Sequence, residues 1–231
     1  MDILSIIPAR GGSKGIPGKN LKLIHGKKLL AYTVEASLNS SLVSKTIVTT
    51  DDSKILETAT KLGAQVIKRP KNLSGDKIGL EPAIVHVLKT LKSNENFVPE
   101  IIVTLQNTSP FRTSSHIDGA INLLKRKNYD SVISGYLPKE FLWIKDKDRV
   151  KPATYDPSKR PNRQGIKNQF LENGAIYVIK RKVFEKNTKS RISGKVGMYI
   201  MNREDSIQID EPYDLFIAKQ FMEWKNSGKN K

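Results

Sequence analysis

The chain contains no cysteine. That excludes a disulfide scaffold, a thiol nucleophile and a thiolate metal site. No apolar run approaches the ~20 residues that a membrane-spanning helix needs. The opening stretch, Met1-Asp2-Ile3-Leu4-Ser5-Ile6-Ile7-Pro8, has no basic lead and is too short in apolar residues for a signal peptide. A cytoplasmic protein without membrane association is the expectation. Aromatic residues make up only 7%, and no zinc, helix-turn-helix or RNP-like pattern is present. A nucleic-acid reader therefore has little support beyond charge. The three histidines, His25, His86 and His116, show no ligand or triad spacing, and there is no internal repeat or low-complexity segment.

What the chain does have is positive charge. Its 231 residues carry 40 Lys+Arg against 23 Asp+Glu, a formal net charge of +17. Such an excess points to an anionic partner: nucleic acid, a membrane surface or a phosphorylated ligand. Yet 30 of the basic residues are Lys and only 10 are Arg, the composition of a solvated surface more than of a base reader. The excess is uneven, with 12 of the 17 net charges in residues 121–195.

Length and hydrophobic patterning predict one large domain over residues 1–231. Short β-branched runs at Ile3–Ile7, Thr46–Thr50, Ala64–Ile67, Glu100–Leu105 and Ser131–Ser134 alternate with helical spacing at Leu29–Leu38, Ser53–Leu62, Pro82–Leu91 and His116–Lys127. Asp51-Asp52-Ser53 offers N-cap chemistry, and Gly63 stands where a helix-ending glycine belongs. The alternation predicts an α/β fold, a mostly parallel sheet with helices on both faces. Residues 136–172, with Pro152, Pro157 and Pro161, break the pattern and read as an inserted arm. Strands resume at Ala175–Lys180 and Gly197–Met201, and a helix at Pro212–Trp224 closes the pattern.

The loop after the first strand is Arg10-Gly11-Gly12-Ser13-Lys14-Gly15-Ile16-Pro17-Gly18-Lys19-Asn20. Glycines expose backbone N–H groups, and the basic residues add fixed charge, at the strand edge where α/β folds bind phosphates. The spacing fits neither a dinucleotide-binding nor a Walker-type loop, because Ser13 and Asn20 stand at required positions of the latter.

This segment, from Ile7 to Asn20, closely resembles the opening signature of the acylneuraminate cytidylyltransferases, the CMP-sialic acid synthetases. Four further segments carry the resemblance in order. They are Leu105-Gln106-Asn107-Thr108-Ser109-Pro110-Phe111-Arg112, with Asn107 in place of the usual Pro, and Arg160-Pro161-Asn162-Arg163-Gln164. Then come Glu172-Asn173-Gly174-Ala175-Ile176-Tyr177 and Ser206-Ile207-Gln208-Ile209-Asp210-Glu211-Pro212. The resemblance implies a Rossmann-like nucleotidyltransferase fold with residues 136–172 as a dimerisation arm. It implies transfer of CMP from CTP to the anomeric hydroxyl of an acidic nine-carbon sugar, with pyrophosphate leaving.

By the same resemblance, Arg10, Gly11, Gly12, Ser13, Lys14, Lys19 and Asn20 hold the CTP phosphates, with Arg10 and Lys14 catalytic. Arg69 lies near the cytidine, and Leu80 ends the cytosine-recognition loop, where relatives often place Ser. Gln106 and Ser109 face the sugar. Arg160, Arg163 and Gln164 approach it from the arm of a partner subunit in a homodimer. Asp210 is the implied catalytic Mg²⁺ ligand; Gln208 stands where a second acid is common, which leaves the second ligand open. Two alternatives remain: a cytidylyltransferase for legionaminate, pseudaminate or an eight-carbon ulosonate, and, in a different class, a basic nucleic-acid-binding protein.

Overall fold

In the computed structural model, which describes residues 1–75, 77–162, 165–166 and 169–227, strand β1 (Ile3–Pro8) is buried on both faces. Ile3 and Ile7 point into one apolar cluster, Leu4 and Ile6 into the other. A strand apolar on both sides belongs in the middle of a covered sheet. Accordingly β1 lies between β4 (Lys45–Thr50) and β6 (Ile101–Leu105), parallel to both.

The seven-stranded sheet has the order β11-β7-β10-β6-β1-β4-β5. Here β5 is Gln65–Lys68, β7 Ser131–Tyr136, β10 Leu171–Lys180 and β11 Val196–Ile200. Only β10 runs against its neighbours; the other pairs are parallel. Helices α1 (Leu29–Leu38), α2 (Ser53–Lys61) and α4 (Ser114–Arg126) cover one face through Leu30, Val34, Ile55, Ile117 and Ile121. Helices α3 (Glu81–Glu95) and α5 (Arg181–Lys186) cover the other through Ile84, Val87, Leu91 and Phe184. The expected α/β layering is what the structure has.

Caps follow local chemistry. The Asp52 side chain accepts a hydrogen bond from Ile55 N at the start of α2, and Gly63 takes φ +88° just past its end. Thr113 and His116 form a reciprocal capping box on α4.

A third apolar cluster fixes the site. It joins Ile16 of the glycine loop, Ile24 of a small hairpin, Phe111, Ile209, and Ala218 and Met222 of α6 (Pro212–Asn226). The hairpin, β2 (Leu23–Ile24) and β3 (Lys27–Lys28), turns through His25 and Gly26, both at positive φ. Between β7 and β10, β8 (Trp143–Asp146) and β9 (Arg149–Pro152) form a separate two-stranded sheet. No helix among the described residues is long and apolar enough to cross a membrane.

Candidate active site

A cleft of about 430 Å³ opens where β1, β5 and β6 end. This is the carboxyl edge of parallel strands, where α/β folds place ligands. Pro8, Arg10, Gly12, Ser13, Lys19 and Asn20 line one side. Leu73 to Gly75 and Ile78 to Leu80 line another, with Arg69, Gln106, Asn107, Thr108 and Arg191 between them.

The glycine loop is held at both ends. Asn20 Nδ2 donates to Arg10 O at 2.9 Å, and Gly11 N donates to Asp51 Oδ1 at 3.0 Å. Lys19 Nζ donates to Ile209 O at 2.8 Å and to Asp210 Oδ1 at 2.9 Å. At Gly15 a Cβ would sit 2.2 Å from the Asp210 carbonyl oxygen, so only glycine permits this approach. Loop and Asp210 segment thus form one wall, although 190 residues separate them in the chain.

Arg69 is the most unusual cation of the cleft. It is 4% exposed, and its Nε and Nη2 have no hydrogen-bond partner among the described residues. Burial lowers its pKa from the ordinary arginine value; Asp51 opposes that shift and Arg10 adds to it. A buried, under-satisfied guanidinium facing a cleft is arranged for an anion or a carbonyl oxygen.

Gln106 leaves the end of β6. Gly174, at φ +62°, sits in the irregularity of β10, where a Cβ would lie 2.9 Å from Gln106 Oε1 and 2.8 Å from Gln208 Nε2. Behind them Arg112 Nη1 donates to the carbonyls of Gln106 (3.1 Å) and Ala175 (3.0 Å). Asn107 Nδ2 donates to Pro8 O at 3.3 Å, joining the ends of β6 and β1.

The structure brings Arg10, Gly12, Ser13, Lys19, Asn20, Arg69, Leu80 and Gln106 to one cleft. Gly11 and Asp210 are bonded to its wall. Lys14 belongs to the same loop but does not line the cleft. Ser109 is turned inward: it is fully buried and its hydroxyl donates to Asn173 O at 3.3 Å. Ser109, expected to face the sugar, does not line this cleft, and its hydroxyl joins the turn after β6 to β10. Arg160 stacks over Phe141 on the arm, 4.3 Å from the ring centroid, and does not line the cleft of its own chain. Arg163 and Gln164 lie outside the described residues. Asn107, Thr108 and Arg191 are cleft residues that sequence reasoning missed. Arg191 had no motif around it; Asn107 was visible as a departure from the family pattern.

Asp210 bears on metal binding. The N-cap residue of α6 is Glu211, and Asp214 Oδ2 accepts from Asp210 N and Glu211 N. The Asp210 carboxylate is therefore not spent on capping, and its side chain is 59% exposed. No group of three or more His, Asp or Glu among the described residues is placed to hold a metal ion by itself. One exposed carboxylate at the cleft wall does fit Mg²⁺, which commonly takes one or two carboxylates and completes its shell with waters and substrate phosphates.

The fold and the basic glycine-loop cleft define an α/β protein of the nucleotidyltransferase type. The family described as cytidylyltransferase matches residues 4–226, and the chain belongs to that family. It is 35% identical over 232 residues to an N-acylneuraminate cytidylyltransferase of Escherichia coli, covering 98% of this chain and 54% of that protein. It is 32% identical to a CMP-N,N'-diacetyllegionaminic acid synthase of Legionella pneumophila, covering 96% and 97%. A Danio rerio N-acylneuraminate cytidylyltransferase A is 32% identical over 94% of this chain, which spans half of that relative's length. Among solved structures, a CMP:2-keto-3-deoxy-manno-octonic acid synthetase complexed with CTP superposes with a TM-score of 0.70 at 18% identity. The superposition covers 97% of this chain and 100% of that one.

Proposed function

We propose that the protein transfers CMP from CTP to the anomeric hydroxyl of an acidic nine-carbon keto-sugar, N-acetylneuraminate or a close nonulosonate, releasing pyrophosphate. The observation that carries this is the cleft: Arg69, buried with two nitrogens that have no hydrogen-bond partner among the described residues, shares it with a basic glycine loop. The names of the relatives, an N-acylneuraminate cytidylyltransferase and a CMP-N,N'-diacetyllegionaminic acid synthase, support the acidic sugar.

In this reading the anomeric oxygen bonds to the α-phosphorus, the bond to the β-phosphate oxygen breaks, and the hydroxyl proton passes to solvent. The chain contributes by positioning and charge. Arg10, Lys14, Lys19 and the backbone N–H groups of Gly12 and Ser13 hold the phosphates and offset the charge on the departing pyrophosphate. Arg69 and the segment ending at Leu80 hold the cytidine, and Gln106 orients the sugar. Asp210 would hold Mg²⁺, which, when bound, polarises the α-phosphate. A homodimer would bring Arg160, Arg163 and Gln164 of one arm toward the partner's cleft. The setting proposed with this reading is the cytoplasm.

The test is pyrophosphate release with Mg²⁺, each of the four NTPs and a panel of acidic sugars. The expected result is release with CTP and a nonulosonate only, with Asp210→Asn raising the Mg²⁺ needed for half-maximal rate. Release with legionaminate, pseudaminate or an eight-carbon ulosonate alone would move the assignment to that sugar. No release with any pair, together with tight salt-dependent RNA or DNA binding, would overturn it.

A further inference from the structure

Arg191 is a cleft residue that belongs to none of the motifs. It lies in the connection between α5 and β11, and that connection is pinned on both sides of it. Ser190 Oγ donates to Ile192 O at 2.7 Å, and Ser193 exchanges two hydrogen bonds with Ser131. Two residues further on, Lys195 N donates to Asp130 Oδ2 at 2.9 Å.

The guanidinium itself is fixed twice. Nη1 donates to Glu81 Oε1 at 2.6 Å, and the guanidinium carbon stacks 4.2 Å from the centroid of Tyr177. The Tyr177 hydroxyl in turn donates to Glu172. Nε has no hydrogen-bond partner among the described residues. Nη1 is the outer nitrogen; engaging it leaves the edge that carries Nε, which is the edge arginine uses to grip a carboxylate side-on.

The cations of the cleft fall into two groups. Arg69 feels Arg10 and Asp51. Arg191 feels Tyr177 and Glu81 and neither of those; burial acts to lower its pKa, and these neighbours outweigh burial and raise it. In the bonding of the cleft the glycine loop is held by Asp51 and Asn20, whereas Arg191 is held by Glu81 in the first turn of α3 and by Tyr177 of β10. The proposed reaction brings two anionic substrates together, a triphosphate and a sugar acid.

We infer that Arg191 is a specificity-determining residue that holds the carboxylate of the sugar acid from within the same chain. The inference rests on the proposed activity. Glu81 and Tyr177 act as positioning residues, fixing the fork in advance so that little side-chain entropy is lost on binding.

The test compares wild type with Arg191→Gln and Arg191→Lys, measuring KM for the sugar acid and for CTP, and repeats it with the methyl ester of the sugar. Arg191→Gln is expected to raise the sugar-acid KM about 10- to 100-fold, the worth of a charge-assisted hydrogen bond, with the CTP KM within twofold. It should also abolish the preference for acid over ester, while Arg191→Lys restores part of both. Glu81→Gln, which loosens the fork without removing it, should raise the sugar-acid KM less. An unchanged sugar-acid KM in Arg191→Gln, or a rise only in the CTP KM, overturns the inference while the activity stands. Wild type that transfers CMP to no acidic sugar overturns the activity and this inference with it. CTP binding by calorimetry confirms that each variant is folded.

Discussion

Arg69 and Arg112 are both buried guanidiniums, and what surrounds each separates their roles. Arg112 is 2% exposed, burial pulls its pKa down to about 9, and its Nη1 is spent on two backbone carbonyls, of Gln106 just past β6 and of Ala175 within β10. Its work is to hold Gln106 and Gly174 in register. Nε and Nη2 have no hydrogen-bond partner among the described residues in either arginine; what separates the two is that Arg69 lines the cleft and Arg112 does not. Replacing a buried cation of this kind by an apolar side chain of similar length is often neutral or stabilising. Arg69→Met is therefore expected to leave the midpoint of denaturant unfolding unchanged or higher, while weakening CTP binding about 10- to 100-fold by calorimetry. A lowered midpoint with unaltered CTP affinity would make Arg69 structural. Both arginines were visible in the sequence, but only as neighbours of motifs. Access to the cleft, together with the bonds of Arg112 to Gln106 and Ala175, separates a ligand-facing cation from a stitch, and no local spacing encodes either. The same is true of Ser109, whose bond to Asn173 O across 64 residues no local pattern announces.

The glycine loop is an element whose shape is set by a distant one. Gly15 touches the Asp210 carbonyl, Lys19 bonds Ile209 O and Asp210, and Ile16 packs with Ile209 in one apolar cluster. A Cβ at position 15 has backbone in its way, so something must shift. Gly15→Ala is expected to cost about 1–3 kcal/mol of stability. It should also lower kcat/KM by about 100-fold, because a displacement near 1 Å at a positioned group has that effect. Wild-type unfolding and wild-type rates in this variant would show that the wall is not rigid. Strands β1, β4 and β6 and helices α1 to α4 were legible because each is an apolar run with one period, and α2 and α4 also carry a side-chain cap; the loop was legible from its glycines and basic residues. β10 was only half legible. Its first residues, Leu171 to Gly174, include an Asn-Gly pair that reads as a turn, whereas the chain passes it as an irregularity within a ten-residue strand. Its antiparallel direction follows from the long excursion before it, not from its own composition. The β2–β3 hairpin and α5 were missed because they offer too few residues to show a period.

At the scale of the whole molecule the +17 charge and the arm pull in opposite directions. The β8–β9 hairpin has only its own two strands for hydrogen bonding, and such a unit is marginal alone in water. Tyr155 meets both Phe141 and Trp143 edge-on and braces its base. Yet Trp143 is 52% exposed and Val150 64%, and Leu137 and Ile144 are exposed as well. In the register of the hairpin, Trp143 pairs with Pro152 and Lys145 with Val150, so Trp143 and Val150 share one face. An apolar face on a thin projection loses little by meeting a second copy and gains the burial it lacks. The opposing force is repulsion between two chains that each carry +17, concentrated in the region that includes the arm. Salt screens that repulsion over a Debye length of about 8 Å at physiological strength and leaves apolar contact intact. Sedimentation is thus expected to show a dimer that tightens as salt rises from about 50 to 300 mM, while anion capture at the cleft, and with it CTP affinity, weakens over the same range. Trp143→Glu combined with Val150→Glu should yield a folded monomer that still binds CTP. Its sugar-acid KM should rise if Arg160 and Arg163 reach the partner's cleft, and should stay at the wild-type value if Arg191 alone supplies the cation. A wild-type chain that sediments as a monomer at every salt concentration would remove the arm from the active site.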